Sequence, residues 1–158
     1  MLLETNRLII EYFNTSDISD WAEIESDADV RRFVDGKVLS LKEASEYVEL
    51  NIRQYQTHEF GRYAVRLKEN RKLIGMCGFL NEPYGIDFGY RYSKDSWGKG
   101  LGFEAAKEVL DYGFSKLGLK KVVGLTAEQN VGSIRILEKL GFKFEEKILF
   151  NNTRALKY

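Results

Sequence analysis

The 158 residues suffice for one domain with a proper core, and 44% hydrophobic with 30% charged residues is the balance of an ordinary soluble globular protein. The 24 basic and 24 acidic residues cancel, so no basic excess asks for nucleic acid or an anionic membrane as partner. Glu4 and Arg7 interrupt the N-terminus too early for a signal peptide, no apolar run approaches membrane-spanning length, and a single cysteine excludes an internal disulfide, so a reducing, cytoplasmic setting is expected.

In chain order, Leu2 to Phe13 reads as an edge strand rich in Leu, Ile and aromatics. Thr15, Ser16 and Asp17 offer N-caps for a helix to about Ser26, with Ile18, Trp21 and Ile24 inside. Asp27 to Val34 reads as a second short helix. Ser40 and Glu43 form a capping-box pattern. The helix they open is expected to bury Leu41, Ala44, Val48 and Ile52, with Tyr47 and Tyr55 available to a cleft. His58, the only histidine, precedes a strand in a polar loop, and no His/Cys cluster exists to hold a metal.

The period then becomes strand-like. Arg62 to Leu67, Lys72 to Leu80 and Ile86 to Tyr92 are joined by short turns, the second around Pro83, which predicts an antiparallel meander. Cys77 lies in the apolar middle strand and reads as core. In the third strand Ile86, Phe88, Tyr90 and Tyr92 share one face, and Asp87, Gly89 and Arg91 the other.

The next stretch is Trp97-Gly98-Lys99-Gly100-Leu101-Gly102-Phe103. Alternating glycines allow a tight turn and close approach to the backbone, and a helix follows directly. Its unpaired N–H groups point back into the turn, a ready-made place for phosphate, with Lys99 adding charge. No Walker A ending is present, and Phe103 replaces the last glycine of a dinucleotide fingerprint. A plain strand-to-helix turn is the alternative. The helix carries Phe103, Ala106, Leu110, Phe114 and Leu117 on one stripe and ends at Gly118. Lys121 to Ala127 reads as a strand parallel to the one before. Asn130 caps a helix with Ile134, Leu137 and Leu140 inside. Phe142 to Phe150 and Arg154 to Tyr158 close as a hairpin over Asn151-Asn152. One mixed α/β domain spanning 1–158 is the economical reading.

These stretches together resemble the GNAT N-acetyltransferases, in particular their RimJ/RimL-like branch. Glu4-Thr5-Asn6-Arg7-Leu8 is similar to that branch's E-T-x-R-L, and Leu73-Ile74-Gly75 to its third strand. Asp87-Phe88-Gly89-Tyr90 is similar to its E-L-G-Y, with aspartate for glutamate. Trp97 to Ala105 resembles the coenzyme A turn, with Trp97 where Arg or Gln is common. Asn130 to Ser133 resembles N-x-x-S, and Leu137 to Phe142 the closing L-E-K-L-G-F.

The resemblance implies a GNAT fold of α/β (α+β) class, with a central mixed, mostly antiparallel sheet and helices on both faces. It implies acetyl-CoA as cosubstrate. Its pantetheine arm would lie where the strand Ile86–Tyr92 splays from the strand starting at Lys121, bonded by the backbone of Phe88, Gly89, Tyr90 and Arg91. Gly98, Lys99, Gly100, Leu101, Gly102 and Phe103 would take the pyrophosphate, and Asn130 and Ser133 would contact the cofactor. Asp87 becomes the candidate base, through water. A strand aspartate paired with Arg91 is the alternative. Ser133 becomes the candidate acid, by orienting a group or relaying through water, with a local cap as alternative. Leu137 stands where many members place a tyrosine acid.

The implied reaction is acetyl transfer to a primary amine, either a protein N-terminus or a small molecule. Trp21, Tyr47 and Tyr55 are candidates to shape the acceptor cleft. A non-catalytic acyl-CoA-binding module is the competing class. A homodimer stays open.

Overall fold

The polar middle of the N-terminal run, Glu4 to Arg7, turns the expected single edge strand into a hairpin. In the computed structural model, which describes residues 2–158, β1 (Leu2–Glu4) pairs antiparallel with β2 (Leu8–Glu11). Leu8 N–H donates to the Thr5 hydroxyl at 3.0 Å, which fixes the turn. Asn14, one residue before the expected caps, caps a short 3-10 turn at Thr15–Asp17 that leads into α1 (Ile18–Glu25). This helix buries Trp21, Ile24 and also Glu25, while α2 is only Ala28–Arg31. The Ser40–Glu43 capping box opens α3 (Leu41–His58), whose buried face runs Ala44, Val48, Asn51, Tyr55. Leu41 is 63% exposed, because at the helix's first residue that face has nothing to cover it.

The expected meander is β3 (Arg62–Leu67), β4 (Leu73–Glu82) and β5 (Gly85–Tyr92), joined to β2 in one antiparallel sheet of order β1-β2-β3-β4-β5. The Pro83 turn is tight, with Glu82 opposite Gly85. The strands' two-residue alternation, shifted once by the register irregularity opposite Val65 and Arg66, sends Ala64, Leu73 and Met76 to the side of Trp21, Ala44 and Val48. Tyr63, Val65, Cys77, Phe79 and Phe88 go to the other side, against α4 (Leu101–Ser115). Helices therefore cover both faces.

The buried stripe of α4 is Leu101, Ala105, Ala106, Val109, Leu110 and Gly113, rotated from the expected one, and Phe114 is 44% exposed. The sheet decides this rotation. It presents large rings, and a close-packed layer opposite them needs small residues. Ala105, Ala106 and Gly113 supply these, and a Cβ on Gly113 would lie 2.4 Å from Phe79 Cζ.

The expected strand from Lys121 is also shorter. Val123 bridges β5 in parallel, and Gly124 then exchanges both its backbone bonds with Tyr158, at 3.0 and 2.8 Å. From there β6 (Leu125–Ala127) runs in a second sheet, order β6-β8-β7, with β7 (Glu146–Phe150) and β8 (Thr153–Lys157). Asn151 and Asn152 make the hairpin turn with φ of 50° and 60°. Between the sheets' strands, α5 (Val131–Lys139) buries Leu137 fully, with Ile134 and Leu140 only partly covered.

Gly113→Ala tests the packing. Helix propensity gains about 1 kcal/mol, but overpacking a buried ring costs about 1–3 kcal/mol, so a lower denaturation midpoint is expected. A raised midpoint would mean that Phe79 moves aside.

Candidate active site

Gly98 and Gly100 both have left-handed φ, +74° and +76°. A side chain would be strained at either, so the glycines are needed for the turn itself. Gly100 caps α4 without a side chain to take its first N–H groups. The N–H groups of residues 98 to 103 accordingly make no hydrogen bond among the described residues. They form a run of donors at the positive end of a helix, the arrangement that holds phosphate oxygens. Trp97 lies just outside the run. Its N–H goes to Lys94 O at 3.1 Å, and its indole donates to Tyr92 O at 3.0 Å, tying the turn to the end of β5. Lys99 is exposed beside the turn. Lys139, at the end of α5, adds a second cation, its Nζ 4.2 Å from the centre of the Phe103 ring.

The second element is a gap. Val123 donates to Ile86 O and accepts from Phe88 N–H, each at 2.8 Å, and β5 and β6 are not paired beyond it. Bonding groups alternate along a strand, so the C=O of Phe88 and the N–H and C=O of Tyr90 face that opening. They offer an extended ligand the edge that another strand would use. Gly89 and Arg91 turn their backbone the other way, to β4, through the pairs Gly78–Gly89 and Met76–Arg91.

Asp87 is buried, and both its carboxylate oxygens are engaged. One is ion-paired with the buried Arg62 guanidinium, and the other accepts from the Tyr84 hydroxyl at 2.9 Å. The expected partner of Asp87, Arg91, goes instead to Glu25 at 2.5 Å, and Glu25 also holds Arg31 at 2.8 Å. Arg62 can reach Asp87 because Gly89 leaves room: a Cβ there would stand 2.8 Å from its Nη2. Gly89 thus serves the approach of a side chain, and the strand register passes through it without a bulge.

Ser133 and Tyr90 are brought together. The Tyr90 hydroxyl donates to Ser133 O at 3.0 Å and lies 3.1 Å from Ser133 Oγ. Burial holds the Tyr90 phenol above its ordinary pKa, although the bond to Ser133 works the other way. Asn130 caps α5 by accepting from Ser133 N–H at 3.2 Å, which fixes the serine's backbone. Leu137 is core: it presses on Gly124, where a Cβ would lie 2.8 Å from Leu137 Cδ2.

Other candidates separate cleanly. Burial pushes the Cys77 thiol up to about 12, so it is a core residue and no nucleophile. Trp21 is fully buried, with Tyr47 stacked on it at 5.2 Å. Tyr55 is also core, its hydroxyl bonded to Arg62 O and accepting from Phe13 N–H at 3.1 Å. His58 lies beside Phe60, with ring centres 5.8 Å apart. Cys77, Trp21 and Tyr55 are buried, while Tyr47 and His58 are partly exposed. An open cleft of about 460 Å³ lies elsewhere, between residues 32–36, 127–129 and 152–154, and its middle wall leads into the Asn130–Ser133 turn.

Sequence reading missed Arg62, Tyr84, Lys139 and a cluster joining Arg7 to Glu104. Only Arg62 left a trace, as one of two cations, with Arg66, in a strand whose other residues are apolar or aromatic.

The GNAT acetyltransferase domain family matches residues 7–143. The uncharacterised N-acetyltransferase YoaA of Bacillus subtilis is 28% identical over 148 residues, 91% of this chain and 84% of that protein. A GNAT-family acetyltransferase structure from Bacillus anthracis superposes with a TM-score of 0.86 at 24% identity, over 100% of this chain and 96% of the other. The RimL ribosomal-protein alpha-N acetyltransferase, solved in complex with coenzyme A, gives 0.87 at 16% identity, over 100% and 96%. At such identities the structures speak for the fold, and the family match speaks for descent. The chain belongs to the GNAT acetyltransferase family.

Proposed function

We propose that residues 1–158 act as one GNAT domain that transfers the acetyl group of acetyl-CoA to a primary amine. The observation that carries this reading is the run of unbonded N–H groups from Gly98 to Phe103 at the start of α4. The pyrophosphate would bind there, and the pantetheine arm would take the free edge at Phe88 and Tyr90. The thioester would then lie where β5 and β6 part. An uncharged amine attacks its carbonyl carbon, the C–S bond breaks, and an amide and coenzyme A thiol are formed.

From ammonium and thioester to amide and thiol, the nitrogen gives up two protons, the sulfur takes one, and one is released. The ammonium proton leaves through water toward Tyr84 and Asp87, whose carboxylate is already held by Arg62. The thiolate gains its proton by way of Ser133, with the Tyr90 hydroxyl behind it in the role that Leu137 cannot fill. Burial of Leu137 and full engagement of Asp87 also favour a second reading, a non-catalytic acyl-CoA-binding module. Release of free thiol from acetyl-CoA in the presence of an amine separates the two.

The acceptor enters by the cleft beside residues 127–129. In it Asp35 is engaged by Arg31 at 3.1 Å and Glu128 by Lys147 at 3.2 Å. Arg32 and Arg154 have no carboxylate within ion-pair distance among the described residues. This balance favours an amine with a carboxylate nearby, such as a peptide N-terminus followed by an acidic residue, over a polyamine. The RimL neighbour acts on a protein N-terminal amine, which is compatible with that class.

Two outcomes are expected. In a thiol-release screen, N-terminal peptides with an acidic second residue should be acetylated faster than spermidine, and Arg154→Glu should narrow or reverse the preference. Faster turnover of spermidine by the parent would contradict the acceptor reading. Ser133→Ala should lower kcat by on the order of 10²-fold, the lower end for a positioned acid, with coenzyme A affinity nearly intact. An unchanged kcat would remove Ser133 from the chemistry.

A further inference from the structure

Glu104 lies in the first turn of α4, next to the run of free N–H groups. The positive end of the helix attracts a carboxylate placed there, and a carboxylate among the free donors would repel phosphate. Here it is held away from them. Glu104 Oε2 accepts from the Thr5 hydroxyl at 2.5 Å and from Arg7 N–H at 3.0 Å, and Oε1 accepts from Arg7 Nε at 2.8 Å. Every partner comes from the β1–β2 turn, at the other end of the chain. The same arginine reaches on with Nη1 to the carbonyl of Lys99 at 2.9 Å. The β1–β2 turn is itself anchored, by Leu8 N–H on the Thr5 hydroxyl and by Lys68 N–H on Arg7 O at 2.8 Å.

We propose that Thr5, Arg7 and Glu104 form a clamp that presets the glycine turn for the pyrophosphate of the cosubstrate. This rests on the reading of the turn given under the proposed function. The clamp acts in two ways. In a trans peptide the C=O and N–H point in opposite directions. Holding the Lys99 carbonyl on the Arg7 side therefore presents Gly100 N–H on the far side, with the other free donors. The clamp also withdraws the Glu104 carboxylate sideways and neutralises it. Burial raises the pKa of Glu104, but the bonds from Thr5 and Arg7 outweigh it and hold the group below its ordinary value, so the charge is fixed in place at neutral pH. Arg7 is a positioning residue: it touches the turn and stands away from the reacting atoms.

The test compares two donors, acetyl-CoA and S-acetylpantetheine, which share the thioester and the arm but differ in the pyrophosphate and nucleotide. Arg7→Met removes the Nε bond to Glu104 and the Nη1 bond to the Lys99 carbonyl, and leaves the Glu104 carboxylate beside the turn without its counter-charge. Its kcat/KM for acetyl-CoA should fall about ten- to a hundredfold, mainly through KM. For S-acetylpantetheine it should stay within about twofold of the parent, since that donor leaves the turn empty. Adding Glu104→Leu to Arg7→Met should recover part of the loss, which a purely structural role would not do. Thr5→Val, which breaks the bond to Glu104 and the one from Leu8 N–H but keeps both charges, should give the same donor selectivity with a smaller loss.

Equal losses with both donors, or no loss with acetyl-CoA in both Arg7→Met and Thr5→Val, would overturn the clamp while the parent's activity stands. A parent that neither binds coenzyme A nor releases thiol would overturn the proposed function, and the clamp with it.

Discussion

The two sheets meet at Val123, whose N–H and C=O each make one 2.8 Å bond to β5. Immediately after it Gly124 turns to Tyr158 and the chain joins a different sheet. A longer ladder would have closed the sheet and consumed the edge of β5. A shorter one would have left no fixed angle between the halves. The opening therefore has a rigid hinge line and an unpaired strand edge, and α4 and α5 start beside it.

Behind that edge the strand is held by charge. Asp87 and Arg91 point to the face of α1 and α3, and each meets a buried partner, Arg62 and Glu25. Buried ion pairs contribute little net stability, because desolvation offsets much of the attraction, but breaking one strands a charge and is costly. They therefore act as locks. Arg62 also donates to the carbonyls of Gly78 at 2.6 Å and Asp87 at 2.9 Å, so one guanidinium fixes β4, β5 and the Asp87 carboxylate together. Arg91 carries the lock outward, through Glu25 and Arg31, to the segment that walls the open cleft at residues 32–36.

Local chemistry was legible in the sequence, and long-range choice was not. The glycine alternation at 98, 100 and 102 announced a turn that only positive φ could make, and positive φ is found at two of the three. Ser40 and Asn130 declared their caps, because a cap depends on residues three positions away. The rotation of α4 was not legible, since apolar periodicity allowed either stripe and the rings of Tyr63 and Phe79 on distant strands decided. Nor was the partner of Asp87. Alternation offered Arg91, four residues on along the same face, but a strand is too straight for such residues to bond well when Arg62 stands across the sheet with its guanidinium over Gly89. The role of Glu104 was not legible for the same reason: its partners, Thr5 and Arg7, are nearly a hundred residues distant.

The central claim is that the peptide N–H groups of the glycine turn bind the cosubstrate's phosphates. Backbone amide NMR during a titration with coenzyme A reads those donors one by one. The account predicts that the amide protons of residues 98 to 103 shift most and move downfield, as protons do on bonding to phosphate oxygen. Saturation by coenzyme A with those amides unmoved, and the large shifts gathered elsewhere, would contradict it.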